Sequence, residues 1–104
     1  MSNNNPMSPD KELITKLGNV GQVVVIFHMD NCSHCVKLVE LSNNYADKVV
    51  LVNCNKYPDI AQINNIEATP TFVFLDQYQD KVSEFIQGAQ TDVFINMVTG
   101  KYKF

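Results

Sequence analysis

Two cysteines separated by a serine and a histidine, Cys32-Ser33-His34-Cys35, are the residues of this chain best equipped for chemistry. Thiols at this spacing at the start of a helix can close a small disulfide ring, reopen it, and exchange with other disulfides. The pair follows an apolar run, Val23-Val24-Val25-Ile26-Phe27, and opens a segment with helical periodicity. A strand leading through a turn into a helix is the setting in which Cys-x-x-Cys reads as a redox motif. Unpaired N–H groups at the helix N-terminus present about half a positive charge, which favours thiolate over thiol. Cys32 is therefore the expected exposed nucleophile, and Cys35, one turn further on an apolar face, the expected buried resolving thiol. His34 supplies a hydrogen-bond donor and, when protonated, a positive charge between the sulfurs.

Zinc is the competing use, because Cys32, His34, Cys35 and His28 have the right atom types. Structural zinc, however, takes four ligands from two separated pairs, and there is no second Cys-x-x-Cys here. No metal site is expected. His28 then reads as a satisfied or partly exposed histidine at a strand end, and the third cysteine, Cys54, as a small buried hydrophobe.

The elements that must hold the pair follow from periodicity and punctuation. Ser8-Pro9-Asp10 starts a helix, with Ser8 as N-cap and Pro9 in the first helical position. Leu13, Ile14 and Leu17 line one face, and Gly18 is the expected stop. Gln22 to His28 reads as a strand buried on both sides. A second helix runs from Cys32 to about Ala46, with Cys35, Leu38, Val39, Ser42 and Tyr45 on one face. Val49 to Cys54 is another strand, and Pro58-Asp59 opens a short helix. Thr71 to Asp76 and Lys81 to Ile86, joined by a polar turn, predict an antiparallel hairpin that Gly88 ends. A last helix begins near Thr91 and buries Val93 or Phe94, Met97 and Val98. The order α-β-α-β-α-β-β-α contains a βαβ unit, which is parallel and right-handed. The expected fold class is α/β, one mixed four-stranded sheet with helices on both faces.

Length and charge bound the rest. The chain has 104 residues, one domain's worth, with residues 1–7 expected as a flexible tail and 8–104 as a single domain. The net charge of −3, without a basic block, argues against nucleic acid and anionic membrane surfaces as partners. No apolar stretch approaches the roughly 20 residues that span a bilayer. Residues 1–6 carry no secretory signal pattern, so the expectation is a soluble, cytoplasmic protein. Three cysteines are too few for a disulfide scaffold.

A second signal is Ala68-Thr69-Pro70-Thr71, immediately before Phe72-Val73-Phe74-Leu75. Proline removes a ladder hydrogen bond, so it belongs at the start of a strand. Cys32-Ser33-His34-Cys35 after an apolar strand, Thr69-Pro70-Thr71 before the hairpin, and Gly88-Ala89 after it together resemble the thioredoxin superfamily, from about Ser8 to Val98. The resemblance implies a thioredoxin-like fold, a cis Pro70 lying against the Cys32–Cys35 disulfide, and substrate binding at Thr69, Pro70 and Gly88, where Thr69 offers backbone hydrogen bonds to an extended segment. An ordinary trans proline is the alternative.

Within that superfamily Ser33-His34 departs from the Gly-Pro of typical reducing thioredoxins. Histidine before the second cysteine resembles disulfide isomerases and periplasmic oxidases, and Val52-Asn53-Cys54 is similar to a strand end in isomerase domains. Many thioredoxins carry a buried acid where Ile26 stands, and a tryptophan where Asn31 stands; Asp30 is expected to face solvent rather than replace that acid. The implied function is a dithiol–disulfide oxidoreductase, less reducing than a typical thioredoxin, with no cofactor beyond its redox-active disulfide. Its partners are protein thiols and disulfides, with a reductase, glutathione or a thiol oxidase exchanging electrons, and it is expected to be monomeric. Two other readings stand beside it. Gly88-Ala89-Gln90-Thr91-Asp92 is similar to a glutathione-binding turn, as in a glutaredoxin-like reductase, and the groove around Thr69 and Gly88 would serve a redox-inert peptide-binding module.

Overall fold

The structure, a computed structural model, describes residues 7–104; the expected tail, apart from Met7, lies outside the described residues. Helix α1, Pro9–Val20, begins as its sequence requires: the Ser8 side chain accepts from the Lys11 N–H, and Pro9 occupies the first turn. It does not stop at Gly18. Its carbonyls are closed three residues later by Gly21, at φ +81°, whose N–H bonds the Leu17 carbonyl at 2.9 Å. Glycine is needed there for conformation and for space, because a Cβ would run into the Tyr78 ring. Gly18 has open space around it and simply continues the helix.

Strand β1, Gln22–His28, is central. It pairs in parallel with β2, Val49–Asn53, and antiparallel with β3, Thr71–Asp76. The parallel pairing confirms the βαβ unit. Alternation along the strands feeds two cores. Val24 and Ile26 of β1, Val49 of β2, and Phe72 and Phe74 of β3 pack on one side with Leu38, Phe94, Met97 and Val98. Val23, Val25, Phe27, Val50, Val52 and Val73 pack on the other, with Leu13, Leu17 and Ile60 against them. Both faces are covered, which is why these strands read as nearly unbroken apolar runs.

The connection carrying the cysteines is α2, Ser33–Ser42, which tightens into a 3₁₀ segment, Asn43–Lys48, rather than running helical to Ala46. Tyr45 breaks the helical geometry at φ −133°. Helix α3, Pro58–Ile63, sits below the second core, and α4, Thr91–Val98, buries Phe94, Met97 and Val98. Phe94 meets Phe72 and Tyr45 edge-on, with ring centres 6.2 and 6.1 Å apart.

The outer strand differs from the expected continuous run. It consists of β4, Lys81–Val82, and β5, Ile86–Gln87, both paired with β3. Leu75 faces Val82 while Phe72 faces Ile86, so the outer strand uses one more residue than β3 over that distance, a bulge. Ser83 explains it. Its N–H bonds the Phe74 carbonyl, but its hydroxyl rather than its carbonyl accepts from the Phe74 N–H, at 2.9 Å each. A side chain has taken over a ladder position, and the strand bends around it.

Candidate functional site

The C-terminal end of β1 delivers the chain to the cysteines through Met29, Asp30 and Asn31. Asn31 takes a left-handed turn at φ +59°, a conformation asparagine tolerates. Asp30 is exposed; its N–H bonds Asn55 and its carboxylate accepts from Asn53. It is held to the β2 end and away from the sulfurs, as expected.

Cys32 is the N-cap residue of α2, and Ser33 its first helical residue. Cys32 and Cys35 are joined as a disulfide, with Cα atoms 5.3 Å apart, a separation ordinary for such a bridge. No side chain caps this helix end, which leaves its N–H groups facing the Cys32 sulfur region. Cys32 is half-buried, whereas Cys35 is only 3% exposed, beneath the first turn. Ile26 has no exposure at all and belongs to the core cluster that also holds Leu38 of the same helix as Cys35.

Pro70 is buried and follows a cis peptide bond. Thr69 touches the pair from across the loop. Its hydroxyl donates to Cys32 Sγ at 3.4 Å, and its carbonyl oxygen lies 3.6 Å from the same sulfur. The sequence pointed to the Thr69 backbone; the contact made by its side chain had no sequence signal beyond the residue being threonine. Gly88, at φ +90°, donates its N–H to the Pro70 carbonyl at 2.8 Å, so the two loops form one unit. Thr71 pins that unit from below by donating to the Ala68 carbonyl at 2.6 Å. His34 faces solvent, and among the described residues no hydrogen bond links it to either sulfur.

On the other flank of the disulfide lies a groove of about 490 Å³. Met29, Val36 and Val39 give it apolar walls; Cys32 and Cys35 bring the disulfide to it, and His28 and Glu40 bring titratable groups. Burial lowers the His28 pKa below its ordinary value, and nearby Asp30 opposes this. His28 is therefore neutral at pH 7, with a free ring nitrogen. In the sequence it groups with the cysteines only as a candidate metal ligand and otherwise reads as a histidine at a strand end.

Cys54 stands apart. It is half-buried at the end of β2, packed on the Val50–Val52 side of the sheet, where desolvation raises its thiol pKa. It is thus a flank residue rather than a fully buried hydrophobe, because β2 ends one residue earlier and the chain turns outward.

A family model described as Thioredoxin matches residues 8–100. Thioredoxin-T of Drosophila melanogaster is 36% identical over 89 residues, which cover 80% of this chain and 54% of that protein. The chain thus spans about half the length of that curated relative. Among solved structures, thioredoxin f2 of Chlamydomonas reinhardtii superposes with a TM-score of 0.60 at 30% identity, covering 80% of this chain and 82% of its own. A poplar thioredoxin h shares the fold with a TM-score of 0.70 at 22% identity, over 91% of this chain and 89% of its own.

Proposed function

Because this chain belongs to the thioredoxin family, we propose that it is a thiol–disulfide oxidoreductase acting on protein thiols and disulfides through Cys32 and Cys35, with residues 8–104 as the single working domain. The observation that carries this is the unequal setting of the two bonded sulfurs: Cys32 accessible at an uncapped helix N-terminus, Cys35 buried beneath it.

In the reducing direction, the Cys32 thiolate attacks a substrate disulfide. One substrate thiolate leaves, and a mixed disulfide holds the other. Cys35 then attacks Cys32 Sγ, releases the second substrate thiol, and closes the protein disulfide. The substrate gains two electrons and the protein loses two. The oxidising direction is the reverse. Thr69, Pro70 and Gly88 form the shelf along which an extended substrate segment lies, consistent with the Gly88–Pro70 bond that unites the two loops. A reductase, glutathione or a thiol oxidase restores the starting state.

Ser33-His34 in place of Gly-Pro supports a less reducing couple than that of a typical thioredoxin, nearer the isomerases in character. The thiolate exists only in the reduced state, so whatever stabilises it favours reduction. Equilibration against glutathione should place the potential above the roughly −270 mV of thioredoxin. His34→Pro should move it toward more negative values, with His34→Ala as the control for the altered turn. A parent potential at or below that of thioredoxin, unchanged in both variants, would remove the isomerase-like part of the reading. Failure to turn over any protein disulfide would remove the whole of it.

A further inference from the structure

The second half of the reaction poses a problem of its own. Cys35 must lose a proton before it can attack, since the thiolate is the nucleophile, yet it is 3% exposed. The core beneath it contributes no acid or base: Ile26, Leu38 and Val24 are hydrocarbon and fully buried. A proton acceptor can reach Cys35 from the groove it lines, which Met29, Val36 and Val39 bound.

We propose that His28 accepts the proton of Cys35 across this groove and so acts as the base for the resolving step. Side chains two apart on a strand share a face, and His28 continues the row of Val24 and Ile26 that lies under α2. His28 and Cys35 both line the groove. Among the described residues that line it, His28 and Glu40 are the groups able to accept a proton, and of the two His28 is the half-buried one while Glu40 is exposed. Its carbonyl is anchored by the Cys54 N–H at 2.7 Å, which fixes the strand end from which the ring projects.

The groups that set its protonation come from each neighbouring element. Asp30, in the loop after β1, favours the imidazolium. Glu40 of α2, exposed, lines the same groove. Burial is the larger influence; it lowers the His28 pKa against Asp30 and so favours the neutral ring, the form a base requires. His34 is exposed, and on β2 the register partner of His28 is Asn53, which does not titrate.

The inference rests on the division of Cys32 and Cys35 into attacker and resolver. In the step itself the Cys35 S–H bond breaks and its proton passes to His28. Cys35 sulfur forms a bond to Cys32 Sγ as the Cys32–substrate bond breaks. The electron pair leaves on the substrate sulfur, which takes up a proton from the imidazolium or from water.

Dithiobis(nitrobenzoate) separates the two steps, because each releases one coloured thiolate. Reduced protein carrying Cys54→Val, mixed with this reagent in a stopped-flow instrument, should show a first phase from Cys32 attack and a second from Cys35 resolution. His28→Gln should slow the second phase roughly tenfold or more, within the usual range for general-base catalysis, and leave the first within about twofold. In the parent the second phase should rise through an inflection below the ordinary histidine range; in His28→Gln that inflection should vanish. Added imidazole should restore the second phase in His28→Ala, whose groove has room for it. An unchanged second phase, both phases slowing in parallel, or a parent pH profile without that inflection would each overturn the assignment. A Cys35→Ser protein that still gives both phases would instead overturn the attacker–resolver division itself.

Discussion

The chain places sulfur at the C-terminal ends of two adjacent parallel strands, and the two sites differ in almost everything else. After β1 the chain makes a left-handed turn at Asn31 and enters a ten-residue helix whose first N–H groups face Cys32. After β2 it passes Cys54 directly into a turn that leads to a six-residue helix four residues away. Cys32 receives a hydroxyl hydrogen bond from Thr69. Cys54 has desolvation as the one cause of its pKa shift, and that shift is upward. Position at a strand end therefore does not make a thiol reactive; the helix terminus and the polar donors around it do.

The sharpest way to break this contrast is to remove the resolving thiol. Cys35→Ser should accumulate covalent adducts with a disulfide-bonded protein, all through Cys32, and adding Cys32→Ser should abolish them. Non-reducing gels with peptide mapping provide the readout. Adducts mapped to Cys54 would mean that the two strand ends are chemically equivalent.

A graded version uses rates. In the reduced protein at pH 7, a short iodoacetamide pulse should label Cys32 on the order of a hundredfold faster than Cys54, since only the thiolate reacts. The pH dependence carries a sign. Burial holds the Cys54 pKa up, so its labelling should climb only above the ordinary thiol range, while Cys32 should already be reactive near neutrality. The same upward shift makes the neutral thiol the form compatible with the fold. Whatever stability it contributes is complete below the unfolded-chain pKa and is lost as pH rises through the folded one. Rapid labelling of Cys54 at pH 7 would erase the distinction.

The smallest expected effect isolates one donor. Thr69→Val keeps the shape of the side chain and removes its hydroxyl from Cys32 Sγ. One hydrogen bond of about 1 kcal/mol corresponds to roughly 20 mV for this two-electron couple, so the potential should fall by about that amount and the Cys32 pKa should rise. If neither moves, the helix end alone sets the reactivity of Cys32.

The sequence exposed those parts of the molecule that depend on near neighbours. The N-cap at Ser8, the strand limits of Gln22–His28 and Thr71–Asp76, and the opening of α3 at Pro58 all follow from local rules, and the structure has them where expected. The Cys32–Cys35 pairing was equally legible, because three residues of helix bring the sulfurs together. What was hidden depends on contacts between distant segments. Gly21 rather than Gly18 ends α1 with a left-handed turn, in a space that the Tyr78 ring, from another turn, leaves to a residue without a side chain. The strand expected over residues 81–86 breaks because the Ser83 hydroxyl reaches the Phe74 amide. Likewise, the Thr69 hydroxyl reaches the Cys32 sulfur only when segments 37 residues apart are folded together, and His28 comes to share a groove with the cysteines only when a strand and the following helix are.

That break at Ser83 bears on how one copy of the chain meets another. A sheet margin with a long, straight row of free amides and carbonyls invites a strand from a second molecule to continue the ladder. Here one margin is cut into two pieces of two residues each, with a bend between them. At the opposite margin the Lys16 ammonium caps the Val49 and Ala46 carbonyls, at 2.8 and 2.7 Å. The protein keeps an almost wholly apolar set of strands at its centre, while one margin of the sheet is broken in two and the other begins with a carbonyl already taken by Lys16.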